Sequence, residues 1–240
     1  VTTRRDFVIG AGSAGVSPLL TAAGPAAQAW DQGLVAHLLP TVSHDRILIK
    51  ASFTAPLTEA PELHVADLRV RGQKTSPMGD FWQFDVAHLA PQTPYRLSLR
   101  DGSKALCEPW NLSTFPAPDA RPQRLRLLIY TCAGGHDALN VGLPDGKTSF
   151  LPLALRRRLL QRGLSFAPDA VIANGDHVYW DLTAPRLAKS LGGSPQAIAY
   201  AGRFDRAQPV FGGANEQVLR RAAGPQIVPL YGALCRSTPV

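Results

Sequence analysis

The chain has 240 residues, 45% of them hydrophobic, with 21 glycines, 21 prolines and a formal net charge of +7. That is enough apolar material for one large or two small folded domains, and it excludes a chain too polar to build a core. The basic residues are dispersed, with no basic-aromatic stripe to mark a nucleic-acid surface. The exception is Arg156-Arg157-Arg158, which the sequence reads as a solvated helix face.

Residues 1–29 read as an address. Thr3-Arg4-Arg5-Asp6-Phe7-Val8 matches the twin-arginine export pattern, and a Gly- and Ala-rich stretch from Val8 to Ala23 follows. Ala27-Gln28-Ala29 offers a small-x-small cleavage site. The apolar stretch is too short and glycine-rich for a transmembrane segment. The expected mature protein begins near Trp30 and is periplasmic or secreted, with the twin-arginine export machinery as a partner. That machinery carries folded proteins, often with metal already loaded.

Residues 30–115 predict short strands with frequent turns, at 46–53, 63–70, 81–86 and 95–100, with Asp101-Gly102 as a hairpin turn. Leu89-Ala90-Pro91-Gln92-Thr93-Pro94-Tyr95 resembles the tyrosine corner of fibronectin type III domains, in which the hydroxyl ties back to upstream backbone. The region is therefore expected to be a small β-sandwich. Residues 116–123 contain Pro116, Pro118 and Pro122 and read as a stiff linker.

From 124 to 240 the pattern changes. A strand over 125–131, a helix over 151–162 stopped by Gly163, and a strand over 170–174 predict a strand-helix-strand unit of an α/β domain. Residues 182–226 predict a helical insertion. Residues 227–232 fit either a helix or a strand. Three cysteines leave at least one unpaired, and a Cys107–Cys235 disulfide has no spacing to support it.

The chemistry sits at the ends of the two strands. Ala170-Val171-Ile172-Ala173 runs into Asn174-Gly175-Asp176, which delivers a carboxylate to the strand's C-terminal edge, where open α/β sheets place their sites. Asp176 there can bridge two cations, as two-metal hydrolysis requires; its other reading is a turn cap. Tyr179 is either a phenolate ligand to a strong Lewis acid or a half-buried aromatic. Cys132, at the end of the upstream strand and before Gly134-Gly135, is either a thiolate ligand or an inert small apolar residue. His136 and Asp137 could serve as ligands or as groups behind them, but an exposed loop pair fits them as well. His177, beside Asp176, could contact substrate, support a ligand or face solvent.

Together the twin-arginine signal, the fibronectin-like sandwich, a strand ending in Thr131-Cys132 and then Gly175-Asp176-x-x-Tyr179 resemble the PhoD-like alkaline phosphatases, within the calcineurin-like metallophosphoesterases. The resemblance implies a β-sandwich followed by the first part of an α/β metallophosphoesterase sandwich. It implies phosphate-ester hydrolysis through a metal-bound hydroxide, on a small phosphate ester or a phospholipid-like substrate. It assigns Cys132, Asp176 and Tyr179 to a site containing iron, with calcium alongside. The sequence departs from the wider superfamily at its opening Asp-x-His, which is Cys132-Ala133-Gly134 here, and it has no Gly-His-x-His segment. The expectation is an N-terminal part of such an enzyme, with the other ligands beyond residue 240 and no turnover by itself. The alternative is a non-catalytic exported binding module with a degenerate phosphoesterase remnant.

Overall fold

The computed structural model describes residues 29–131, 151–178, 205 and 207–240. The chain divides into two compact units, Val1–Trp30 and Asp31–Val240. The expected signal up to residue 28, and Cys132, His136, Asp137 and Tyr179, lie outside the described residues, as does most of the expected insertion. Everything below belongs to the second unit.

Nine strands form two antiparallel sheets: β1 (Val35–Val42), β2 (Ile47–Phe53), β3 (Glu62–Val65), β4 (Leu68–Arg71), β5 (Gln73–Lys74), β6 (Phe81–Val86), β7 (Pro94–Asp101), β8 (Lys104–Ala105) and β9 (Trp110–Ser113). One sheet runs β1-β2-β6-β5; the other runs β4-β3-β7-β8, with β9 also on β7. The expected β-sandwich is present. Period-two alternation builds its core, because residues two apart share a face. Ile47, Ile49 and Ala51 pair across the ladder with Val86, Phe84 and Trp82, and all six are buried. In the other sheet Leu63 and Val65 pair with Leu99 and Leu97, also buried. The Tyr95 hydroxyl accepts a hydrogen bond from the Ala90 N–H at 2.7 Å, which closes the expected corner.

Two strand expectations change. Residues 63–70 are not one strand but a hairpin, turning at Ala66-Asp67 with Ala66 at φ +50°. No glycine announces that turn. The sequence also gave no warning of β1, whose Pro40 and His37 interrupt any alternation. Pro40 is tolerated because β1 is an edge strand.

Residues 114–126 carry neither strand nor helix. Beyond them β10 (Leu127–Tyr130) and β11 (Ala170–Ala173) pair in parallel, with α1 (Leu153–Leu164) between them in sequence. A second helix, α2 (Ala214–Ile227), leads into a run of turns that ends at Val240. Residues 227–232 are thus the end of a helix followed by turns. Leu160 of α1 packs with Leu230 and Tyr231, and Leu128, Tyr130, Leu153 and Leu164 close around them. Gly163 does not stop the helix, which runs on to Leu164. A Cβ at Gly163 would lie 2.8 Å from the Leu128 side chain, so glycine is what lets α1 approach β10. The arginine run is not simply a solvated face either. Arg156 is buried and donates from Nε to the Leu151 carbonyl at 2.7 Å. Arg157 donates to the carbonyls of Pro229 and Leu230 at 3.1 and 3.0 Å. Only Arg158 is exposed.

The C-terminal segment joins this part to the sandwich. The Leu38 N–H donates to the Gly232 carbonyl at 3.1 Å, and the Val240 N–H to the Pro40 carbonyl at 2.8 Å. One residue back, the Pro239 carbonyl accepts from the Val171 N–H at 2.8 Å. The tail therefore lies between β1 and β11 and uses backbone groups that an open sheet edge would leave unpaired. Cys107 and Cys235 are both buried free thiols. Among the described residues no helix is long and apolar enough to cross a membrane.

Candidate functional site

The parallel register Leu127↔Ala170 to Tyr130↔Ala173 brings the C-terminal ends of β10 and β11 side by side. The Asn174 N–H donates to the Tyr130 carbonyl at 2.8 Å, and the Thr131 hydroxyl to the Gly175 carbonyl at 3.3 Å. The chain then turns through two left-handed residues, Gly175 at φ +89° and Asp176 at φ +58°. Aspartate enters this region more readily than most residues. The Asp176 side chain is exposed; His177, the next residue, is half-buried. The turn thus parts two neighbouring side chains, one toward solvent and one into the protein.

His177 enters an aromatic cluster. Its Nδ1 lies 2.7 Å from the Tyr231 hydroxyl. Its ring meets Tyr130 edge-on at 5.4 Å between centroids, and Tyr231 at 5.9 Å. The Tyr130 and Tyr231 rings lie 6.1 Å apart between centroids, tilted by 37°. His37, from β1, approaches Tyr231 at 6.4 Å, so the sandwich supplies one member. Burial governs the charge of this group. It pulls His37 down to about 4, which keeps the ring neutral at pH 7. It pushes both tyrosines above the usual phenol range and the Cys235 thiol up to about 11, so all three stay protonated. None is a ready anionic ligand.

Beside the cluster is a cavity of about 230 Å³ with almost wholly apolar walls. Its described walls include His37 and Leu39 from the sandwich, Tyr130 and Ala173 from the strand ends, and His177 and Tyr231. The Nε2 atom of His177 is buried with no hydrogen-bond partner among the described residues.

Of the residues singled out from sequence, Asp176 and His177 are described, and they stand together at the strand end. Among the described residues no group of three His, Cys, Asp or Glu side chains converges; Cys132, His136, Asp137 and Tyr179 are not among them. Sequence reasoning missed His37, Tyr130 and Tyr231. Tyr130 sits in the apolar run before Thr131-Cys132 and could have been noticed there. His37 and Tyr231 lie 194 positions apart with no spacing signal.

No family model matches the chain, and no curated protein matches it. Among solved structures, the CBM31 module of a beta-1,3-xylanase aligns with 36% of this chain and 96% of its own, at 13% identity and a TM-score of 0.26.

Proposed function

We propose that this chain carries part of the site of a metal-dependent phosphate-ester hydrolase of the PhoD-like kind, a metallophosphoesterase α/β portion behind a fibronectin type III-like sandwich. One observation supports it most: the ends of two parallel strands meet, with Thr131, the residue before Cys132, bonded to Gly175, the residue before Asp176. Metal-dependent hydrolases on open α/β sheets draw their ligands from such neighbouring ends. The sandwich supports its part of the reading through a β1-β2-β6 sheet set against β4-β3-β7-β9 and the Tyr95 corner.

The donor set fits the ions implied. Carboxylate, thiolate and phenolate from Asp176, Cys132 and Tyr179 suit iron, and the Asp176 oxygens suit calcium alongside. The resemblance assigns the phenolate role to Tyr179, and burial holds Tyr130 and Tyr231 protonated. When bound, the ions supply Lewis-acid charge and a more acidic water. The chain's own contributions are distinct. Asp176 places negative charge at an exposed edge, where cations can reach it. His177 is tied to the Tyr231 hydroxyl through Nδ1, at 2.7 Å. The net charge of +7 draws anionic esters, whether monoester, diester or phospholipid-like. Arg4-Arg5 supports export after folding, to the periplasm or beyond.

The test is ion retention. The full chain, incubated with ferric iron and calcium and then desalted, should keep iron and show a visible tyrosinate charge-transfer band. Asp176→Asn keeps the size but loses the charge, and should lower retained iron about tenfold or more, as losing a charged ligand does. Iron retention that ignores this substitution overturns the assignment. Failure of both proteins to retain any ion also counts against Asp176, Cys132 and Tyr179 as a metal site in this chain.

A further inference from the structure

We propose that the outer face of the β4-β3-β7-β9 sheet is a docking surface for a bilayer rich in anionic phospholipids. The ladder register assembles it. Glu62 stands between Arg71 and Arg100, and His64 between Arg69 and Ser98. Arg96 pairs with Asn111. Residues that pair directly share a face. The residues alternating with them, Leu63, Val65, Leu97 and Leu99, are buried in the sandwich, so this polar set faces outward. Arg69, Arg71 and Arg96 are exposed, and Arg100 is half-buried.

Charge on this face is one-sided. The four arginines stand against Glu62, which contacts His64 at 3.1 Å. Arg100 donates to the Ser103 carbonyl. Among the described residues no carboxylate lies within ion-pair distance of any of the four. Asp67, in the turn joining β3 to β4, and Asp101, opposite Lys104, lie at the ends of the sheet. The other sheet is more balanced outside: Lys50 stands beside Gln83, and Asp85 is paired with Arg46. From strand spacing and rise, the four arginines span roughly 10 Å by 14 Å. That is about one Debye length at 0.1 M salt, so they act together.

A flat array suits a surface. Single-stranded nucleic acid is held in a groove with aromatic side chains to stack on, and duplex DNA takes a helix or ribbon into its major groove. This face is a sheet, and Tyr95 and Trp110 lie opposite the buried Leu112 and Leu97, on the inner side. Arginine's planar fork takes phosphate oxygens in pairs, which phospholipid headgroups offer across a plane.

Docking needs neither metal nor turnover, so this proposal and the hydrolase reading can fail separately. The full chain is sedimented with vesicles of phosphatidylglycerol and phosphatidylcholine in equal parts, and with phosphatidylcholine alone. It should bind the first at about 0.1 M salt, release them at about 1 M, where the Debye length falls to about 3 Å, and ignore the second. Each arginine near an anionic surface is worth roughly fivefold, so Arg69→Gln with Arg96→Gln should weaken binding about 25-fold. Arg96→Gln alone should weaken it about fivefold. Lys50→Gln with Arg158→Gln removes the same charge from other exposed positions and should weaken it far less. Residues 1–29 are common to all these proteins, so docking through Arg4-Arg5 would ignore every substitution. Urea unfolding followed through Trp82 and Trp110 checks that each variant is folded. Equal effects of the two pairs, or no effect of Arg96→Gln, overturn the face as the docking surface. Absence of vesicle binding by the unsubstituted chain overturns it too. So does tighter binding of a DNA duplex that depends on Arg69 and Arg96, which would assign the arginines to nucleic acid.

Discussion

The sandwich and the strand-helix-strand part use the same apolar residues to different ends. In the sandwich each sheet turns its apolar face to the other, and Phe84, Ile47, Ile49, Leu97 and Leu99 have no exposed surface. In the other part, β10 and β11 are covered on one face by α1 and the turns after α2, where Leu128, Tyr130 and Val171 lie. Their opposite face is open: Leu127, Ile129 and Ile172 are 45%, 60% and 42% exposed, and Ile129 pairs directly with Ile172. Parallel sheets are normally buried on both faces. The contrast teaches that the candidate site stands on a half-covered platform. Among the described residues, backbone bonds between β1, β11 and the C-terminal tail tie that platform to the closed core, with His37 against Tyr231 beside them.

The largest test of the contrast removes one core side chain from each part. Phe84→Ala should cost about 3–5 kcal/mol, the range for deleting a buried aromatic ring. Leu160→Ala should cost about 2 kcal/mol, the low end for leucine, because its cluster is small and can collapse. Urea unfolding can follow Trp82 and Trp110 for the sandwich and helical circular dichroism for α1. If Leu160→Ala costs as much as Phe84→Ala, the platform is as tightly packed as the sandwich and the comparison breaks.

Acid should act next most strongly, and at the joint between the two parts. His37 sits at about 4 when folded, against 6.5 for an ordinary histidine. Between these values the unfolded chain binds a proton that the folded chain refuses, so stability rises with pH across that window. It is fully present above pH 6.5 and lost as pH falls toward 4, by about 3 kcal/mol at roughly 1.4 kcal/mol per unit. His37→Gln should flatten the stability profile between pH 4 and 6.5. An unchanged slope would mean that water reaches His37 in solution and that the joint is looser than the structure shows.

What could be read from sequence divides along the same line. Strands β2, β6 and β7 were legible because alternation is enforced by a core on one side only. The Tyr95 corner was legible because its pattern is local. The approach of β11 to its turn was legible as an apolar run into Gly175-Asp176. The hairpin at Ala66 was not, since neither Ala66 nor Asp67 demands a turn. Strand β1 was not, because its side chains serve two neighbours, the sandwich core and the C-terminal tail. The arginine run misled because a charged side chain can also be held by the carbonyls at the end of another segment, as Arg157 is. The His37-Tyr231-His177 cluster rests on long-range contacts that leave no periodicity in the chain.

The smallest effect on stability is expected at the open face. Ile129 and Ile172 are neighbours on that face, more than 40% exposed, and outside the buried cluster. Threonine keeps the β-branched shape that suits a strand and replaces a methyl group with a hydroxyl that water can reach. Ile129→Thr with Ile172→Thr should therefore change unfolding stability by no more than about 0.5 kcal/mol, as surface substitutions do. The same pair should sharply lower binding of a hydrophobic dye and slow aggregation, because contiguous exposed apolar surface drives both. A loss of stability above about 2 kcal/mol, the scale of deleting buried apolar groups, with dye binding unchanged, would show that this face is covered in solution. The two parts of the molecule would then differ in size rather than in how completely they are closed.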